Sequence, residues 1–398
     1  MNDLETVFRR EWGQIVATLI RVTGDWDLAE ECAQDAFATA LERWPRDGVP
    51  ERPGAWLTTA ARNRATDRLR REAAGAAKLR ELAALERPAP AVDAFPDDRL
   101  RLMFACCDPA LPLQARVALT LRTLAGLSTA EIGRAFLVPE QTMSQRLVRA
   151  KRRIRRERIP FQVPPPHLLP ERTQAVAGVL YLLFNQGYSD PARSGLRAEA
   201  IRLARLLAAL LPQDPETGGL LALMLLHEAR EAARTGPDGT LVPMEEQDRA
   251  RWDRAAIGEG VQVLERALAE RAAGPYQVQA AIAACHATAG DAAATDWPQI
   301  AALYDRLARL LPTPVVELNR AVAVAMARGP RAGLVLVDRL AAGESLRDYH
   351  LLPATRADLL RRLGRGPEAA QAYRQALALA PTEADRRYLL RRLAEVTS

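Results

Sequence analysis

Cysteine, histidine, lysine and aromatic residues are all scarce in this chain of 398 residues. The four cysteines, Cys32, Cys106, Cys107 and Cys285, lack metal-ligand spacing, and an adjacent pair such as Cys106 and Cys107 rarely closes a disulfide. They are expected as reduced, buried thiols, with no metal and no cofactor. His167, His227, His286 and His350 are isolated. HEARE at 227–231 puts Glu231, not a second histidine, four residues after His227, which removes the zinc-protease pattern. No glycine-rich phosphate loop is present, so no enzyme is expected. No run of about 18 apolar residues offers a membrane helix. The N-terminus, MNDLETVFRREWGQ, lacks the apolar stretch of a signal peptide, so a soluble cytoplasmic protein without a membrane partner is expected. No window alternates as a half-buried strand does.

What remains is rich in Ala, Leu and Arg, with 48% hydrophobic residues, a composition that favours helix throughout. The fold class predicted is all-α, in two or three domains. Residues 1–160 hold 27 Arg and Lys against 22 Asp and Glu, whereas the remainder holds 28 against 27. The net +6 therefore sits almost entirely in the first two-fifths, where a polyanion would bind. Only Lys78 and Lys151 are lysines, an arginine bias that fits a GC-rich genome and weakens arguments from single arginines.

Three segments carry the functional signal. STAEIGRAFLVPEQTMSQRLVRAKRRIRRER (128–158) reads as a helix-turn-helix. Ser128 and Glu131 form a capping box, Pro139 suits the first position of the second helix, and Ile132, Ala135, Val138, Leu147 and Ala150 pack inward. Thr142, Ser144, Gln145, Arg146 and Arg149 are left to meet base edges or phosphates, and Lys151, Arg152, Arg153, Arg155, Arg156 and Arg158 extend the basic run. DWDLAEECAQDAFATALERW (25–44) is an amphipathic helix, with Asp27 and Glu30 as a capping box. Its Ala29, Ala33, Phe37, Ala40 and Trp44 face inward, and Asp27, Glu31, Gln34, Asp35 and Glu42 lie opposite. RPGAWLTTAARNRATDRLRR (52–71) follows a Pro- and Gly-rich loop and turns Arg62, Asn63, Arg64, Arg68, Arg70 and Arg71 outward, as single-stranded DNA would require. Helix geometry alone leaves solvated faces as the alternative for both.

Toward the C-terminus the chain repeats. IAALYDRLARLLPTP (300–314) aligns with AQAYRQALALAPTE (370–383), pairing Tyr304 with Tyr373 and Pro312 with Pro381, and GLVLVDRLAAG (333–343) occupies the middle phase. Two periods of about 34 residues fit, the length of a tetratricopeptide unit. Residues 160–260 repeat less clearly, and TGPDGTLVPMEEQ (235–247) reads as an exposed loop.

The order of the three segments closely resembles regions 2 and 4 of sigma-70 family transcription initiation factors of the extracytoplasmic-function group. DLAEECAQDAF resembles that group's core-polymerase-binding helix, PGAWLTTAARNRATDRLRR its −10 helix, and LPLQARVALTLRTLAGLSTAEIGRAFLVPEQTMSQRLVRAKRRI (111–154) its −35 reader. The resemblance implies that Asp27, Glu31, Gln34 and Asp35 face the β′ coiled coil of core RNA polymerase. It implies that loop 45–54 holds a flipped base, that Trp56, Arg62, Asn63, Arg64, Asp67, Arg68, Arg70 and Arg71 meet −10 DNA, and that Thr142, Ser144, Gln145, Arg146, Arg149, Lys151, Arg152 and Arg153 meet −35 DNA, beside the β flap. Domains are expected at 1–75, 76–110 (a linker), 111–160 and 161–398. The last resembles the tetratricopeptide-like extension of a subgroup, in which Gly274, Pro275 and Tyr276 carry over a regulatory motif. A protein or peptide partner is expected on that extension. Two rival readings remain at this point: a helix-turn-helix regulator of duplex operators with a repeat sensor, and a repeat scaffold with an incidental basic helix.

Overall fold

The computed structural model describes residues 2–72, 97–136, 138–189, 194–236, 240–269 and 273–397. Residues 73–96, which include most of the linker expected at 76–110, lie outside them. Among the described residues the only β pairing is one isolated bridge, Thr235 with Leu241, and the rest is helix and turn. The chain divides into two compact units, up to Leu210 and from Leu211 onward.

In the first unit, α1 (Asn2–Thr23), α2 (Trp26–Asp47) and α3 (Pro53–Glu72) enclose Trp12, Ile15, Leu19, Ala29, Ala33, Leu57 and Ala61, all buried. Phe8, Trp12 and Phe37 stack at centroid distances of 4.9 to 6.1 Å. The inward face read from the sequence of α2 is the buried one. Its cap differs from the Asp27–Glu30 box, however. Asp25 Oδ1 accepts the amides of Asp27 at 2.8 Å and Leu28 at 3.1 Å, and Glu30 is drawn inward instead.

The second lobe is α4 (Asp98–Cys106), α5 (Leu113–Leu119) with a π turn over Thr120–Leu124, α6 (Thr129–Ala135) and α7 (Glu140–Glu157). Ser128 and Glu131 make the expected capping box, the Glu131 amide donating to Ser128 Oγ at 3.2 Å and the Ser128 amide to Glu131 Oε2 at 2.7 Å. Pro139 stands one residue earlier than expected, as the N-cap of α7. Ile132, Met143, Leu147, Ala150 and Ile154 bury the helix-turn-helix core.

The lobes pack directly on each other. Trp12 Nε1 donates to the Arg122 carbonyl at 3.3 Å. Gly126, at φ +76°, lets the turn lie so close that a Cβ there would meet Phe8 at 2.8 Å and Trp12 at 3.0 Å. Two further helices, α8 (Leu169–Ser189) and α9 (Ser194–Leu210), complete this unit. Arg172 pairs with Asp108 at 2.7 Å, and Arg202 Nη2 donates to the Leu124 carbonyl at 3.3 Å. The compact unit thus runs past the boundary expected near residue 161.

The second unit stacks antiparallel helices: α10 (Pro215–Glu228), α11 (Arg254–Leu268), α12 (Pro275–Thr288), α13 (Trp297–Leu310), α14 (Pro314–Arg328), α15 (Pro330–Ala341), α16 (Leu351–Arg362), α17 (Gly366–Ala378) and α18 (Glu383–Thr397). Three hairpins, α13–α14, α15–α16 and α17–α18, fall in the phase of the sequence repeat. Tyr373, buried in α17, sits among Leu359, Leu360 and Leu389, whereas its counterpart Tyr304 is half-buried against Ile300 and Val316. Segment 235–247 is not a loose loop where it is described. Met244–Glu246 forms a 3₁₀ turn, tied by Glu245 to Arg362 at 3.0 Å and by Glu246 to Arg391 at 3.2 Å and to Arg392.

Candidate nucleic-acid and partner interface

The acidic face of α2 exposes Asp27, Glu31 and Gln34 and half-exposes Asp35. Asp27, Glu31 and Asp35 each already meet a cation. Asp27 holds Lys151 at 2.8 Å and Arg155 at 3.6 Å, Glu31 pairs with Arg68, and Asp35 pairs with Arg64 at 3.1 Å. Burial by itself would raise the Asp27 carboxyl, but hydrogen bonding and charge from Lys151, with help from Arg155, hold it below its ordinary value. The pairs to Arg64 and Arg68 are solvated and worth little in stability. Their consequence is positional: two arginines expected at DNA lie folded back along α2.

Arg62, Asn63, Asp67, Arg70 and Arg71 are exposed along α3. Trp56 is half-buried, its ring edge-on to Trp44 at 5.6 Å. Residues 45–47 belong to the last turn of α2, which leaves 48–52 as the connecting loop. An open depression of about 590 Å³ lies between this loop and α1, lined by Arg10, Glu11, Gln14, Arg52 and Thr58. It offers both donors and acceptors.

On α7 the residues expected at −35 DNA divide. Thr142, Gln145, Arg149 and Arg152 are exposed and recur at helical spacing, so they form one row. Ser144 is exposed beside it, and Arg146 and Arg153 are half-buried. Arg149 Nη2 donates to Gln145 Oε1 at 3.3 Å. Lys151 is withdrawn. Its side chain is 8% exposed, with Nζ 2.8 Å from Asp27 Oδ1 and 2.9 Å from Glu30 Oε1.

Glu30, read from the sequence only as a capping partner of Asp27, has a role between the lobes that the sequence did not show. It is 5% exposed and anchors the contact between lobes, its Oε2 accepting from Arg122 Nε at 2.9 Å. The available signal was its phase: Glu30 shares the face of Ala29, Ala33 and Phe37, and a carboxylate on an apolar face calls for a buried cation.

In the second unit, Gly274, Pro275 and Tyr276 begin α12. The Glu216 carboxylate of α10 accepts the amides of Tyr276 and Gln277, both at 3.0 Å. Burial raises the Glu216 pKa against these two hydrogen bonds. A Cβ at Gly274 would lie 2.4 Å from that carboxylate, so the residue is set by the close approach. The motif therefore joins α10 to α12. Among the described residues no cluster of three or more His, Cys, Asp or Glu could hold a metal. Cys32, Cys106 and Cys107 are buried and Cys285 half-buried; burial pushes the Cys107 thiol up to about 12.

Residues 7–75 match the family model for sigma-70 region 2, and residues 101–154 that for sigma-70, region 4. Residues 172–268 match a family of unknown function (DUF6596), which spans the boundary between the two units. The chain is 44% identical to an uncharacterized protein of Rhizobium meliloti (strain 1021) over 97% of its own length and 94% of that protein's. No helix among the described residues is long and apolar enough to cross a membrane.

Proposed function

Because the chain belongs to the sigma-70 family, as a factor of the extracytoplasmic-function type with a C-terminal extension, we propose that it joins core RNA polymerase through α2, opens and holds −10 DNA along α3, and reads −35 DNA with α7. That it is a sigma factor directing transcription initiation follows from the two sigma regions, and binding to core RNA polymerase and promoter DNA follows with it. The residue roles are our reading. The exposed row Thr142–Gln145–Arg149–Arg152 supports the −35 role, since it presents a mixed amide and guanidinium edge of the kind that reads a major groove. The depression between loop 48–52 and α1 supports capture of an unstacked base. The β′ coiled coil would take the acidic face, and the β flap would meet the second lobe. Work of this kind is binding rather than covalent chemistry, and the proposal takes the protein as cytoplasmic.

One observation carries the reading furthest. The acidic groups meant for polymerase and the basic groups meant for DNA neutralise one another: Asp27 with Lys151 and Arg155, Glu31 with Arg68, Asp35 with Arg64. This is the arrangement expected of a factor without its polymerase, in which core binding exchanges internal cations for those of the partner and frees the arginines for DNA. The operator-binding rival has no use for the acidic helix. The extension would gate this exchange, and its face would receive a protein partner.

Run-off transcription with purified core polymerase tests the reading. Promoter-specific transcripts should require the chain. The variant Glu31→Lys with Asp35→Lys, if folded, should lower core affinity by about 10- to 100-fold, the range for interfacial charges. Unchanged core binding by that variant removes the α2 assignment, and an absence of specific transcripts with wild-type protein removes the sigma mechanism.

A further inference from the structure

The second unit contains a cavity of about 320 Å³, enough for a small organic ligand. Its roof is Pro243, Met244 and Glu245, the turn fastened to Arg362 by Glu245 at 3.0 Å. Its walls come from α12, α13 and α14. The His286 and Trp297 rings meet edge to face at 5.1 Å, and Val322 and Met326 supply aliphatic surface. The His286 ring is neutral, because burial and the charges of Arg230 and Arg249 lower its pKa to about 4.

One wall residue is a cation on which a carboxylate, Asp291, acts through space without a direct ion pair. Arg249 is 8% exposed, yet among the described residues no carboxylate reaches it at ion-pair distance. Its Nη1 donates to the carbonyls of His286 and Ala289, each at 2.7 Å, its Nη2 reaches Thr295 Oγ1 at 3.4 Å, and its plane lies over Trp252 at 4.5 Å. Among the described residues Nε finds no acceptor, so the Nε–Nη2 edge keeps N–H groups for a further one. A buried cation whose hydrogen-bond partners are all neutral, with Asp291 only at a distance, is electrostatically incomplete. Arg362, by contrast, is neutralised by Asp358 and Glu245.

We propose that this cavity binds a small amphipathic acid, with one carboxylate on the free edge of Arg249 and a ring-sized apolar body against Trp297, Val322 and Met244. One cation without a direct ion pair among the described residues favours a monoanion. A dianionic phosphate would also repel Glu245 in the roof. The fastened turn favours a compact molecule over a peptide, because an extended chain would have to pass where Glu245 meets Arg362. The roof turn links occupancy to Arg362, Arg391 and Arg392 on α16 and α18. The inference concerns the extension alone and holds whatever the sigma regions do.

Calorimetric titration of the full chain tests it, with indole-3-acetate and decanoate as acids, indole-3-acetamide as the neutral isostere of the first, phenyl phosphate as dianion and an N-acetylated leucine-rich tetrapeptide as chain. At least one acid should bind about ten-fold or more tightly than the amide, the increment of one charge-assisted hydrogen-bond pair. Val322→Trp, which fills the cavity, should abolish that binding while the melting temperature holds. Arg249→Met should do the same, and if it fails to fold, Val322→Trp and the amide still decide. Glu245→Gln should speed association by releasing the roof. No binding of either acid up to millimolar concentration, equal binding of acid and amide, retention by Val322→Trp, or tighter binding of the phosphate or the peptide overturns the proposal.

Discussion

At the scale of single residues, Lys151 shows how a charge run misleads. In sequence it is one of six cations between 151 and 158, and a linear run has no inside. On α7 it shares the face of Leu147, Ala150 and Ile154, and its ammonium lies between Asp27 and Glu30. Lys151→Met should lower stability in urea by about 1–3 kcal/mol, less than for a lone buried pair because Glu30 retains Arg122. The same variant should keep its preference for −35 over random DNA. Lost preference at unchanged stability would move Lys151 back to the DNA. A second residue-scale prediction concerns pH. Burial, ahead of the nearby arginines, lowers His227 to about 3 and His286 to about 4 from an ordinary 6.5. Both are neutral when folded, so below pH 6.5 the unfolded chain takes up protons that the folded chain refuses. Stability present above that pH is lost as pH falls toward 4, by roughly 1.5 kcal/mol per histidine between pH 6.5 and 5. Calorimetry of the second unit's transition should show this slope, and replacing both residues with glutamine should flatten it.

At the scale of elements, what was legible depended on how local the cause is. The capping box at Ser128 and Glu131 spans three residues and reads directly from sequence, as do the apolar stripe of α2 and the hairpin phases marked by Tyr304 and Tyr373. The cap of α2 did not, because Glu30 answers to Arg122 and Lys151 in another lobe rather than to its own helix end. The turn at Met244–Glu246 read as an exposed loop because its partners Arg362 and Arg392 lie 117 and 146 residues away. Of the expected interface, the exposed row of α7 was visible in helical spacing, whereas the pairing of Arg64 and Arg68 with α2 was not. That row carries a test. Gln145→Ala and Arg149→Ala should each lower discrimination between −35 and random DNA by about 1–3 kcal/mol, measured by fluorescence anisotropy. Arg155→Ala and Arg156→Ala, at the exposed helix end, should weaken both DNAs alike and flatten the salt dependence. Equal loss on both DNAs for all four variants would dissolve the distinction.

At the scale of the whole molecule, the sigma regions do not form a unit by themselves. The contacts of α8 and α9 with the second lobe, Arg172 with Asp108 and Arg202 with the Leu124 carbonyl, place residues 169–210 in the first compact unit. The sequence marked a boundary near 161, since FQVPPPHLLP interrupts the helical pattern there and no local feature tells whether the helices beyond turn back or move away. The matched family of unknown function, at 172–268, begins inside this unit and ends in the next. Two truncations therefore separate stability from regulation. A chain ending after Leu210 should unfold cooperatively, with the midpoint of the first unit preserved. A chain ending after residue 160 should lose stability, by about 1–3 kcal/mol for the ion pair and apolar cover removed from α4 and α5. Transcription should then be compared with the 1–210 fragment, in which packing of the first unit is intact. If the extension gates the sigma regions, that fragment should differ from full length by more than about ten-fold at a matched promoter, beyond what altered stability supplies. Loss of activity would make residues 211–398 a positive element, gain would make them an inhibitor, and an unchanged rate would leave them as a platform for some other partner.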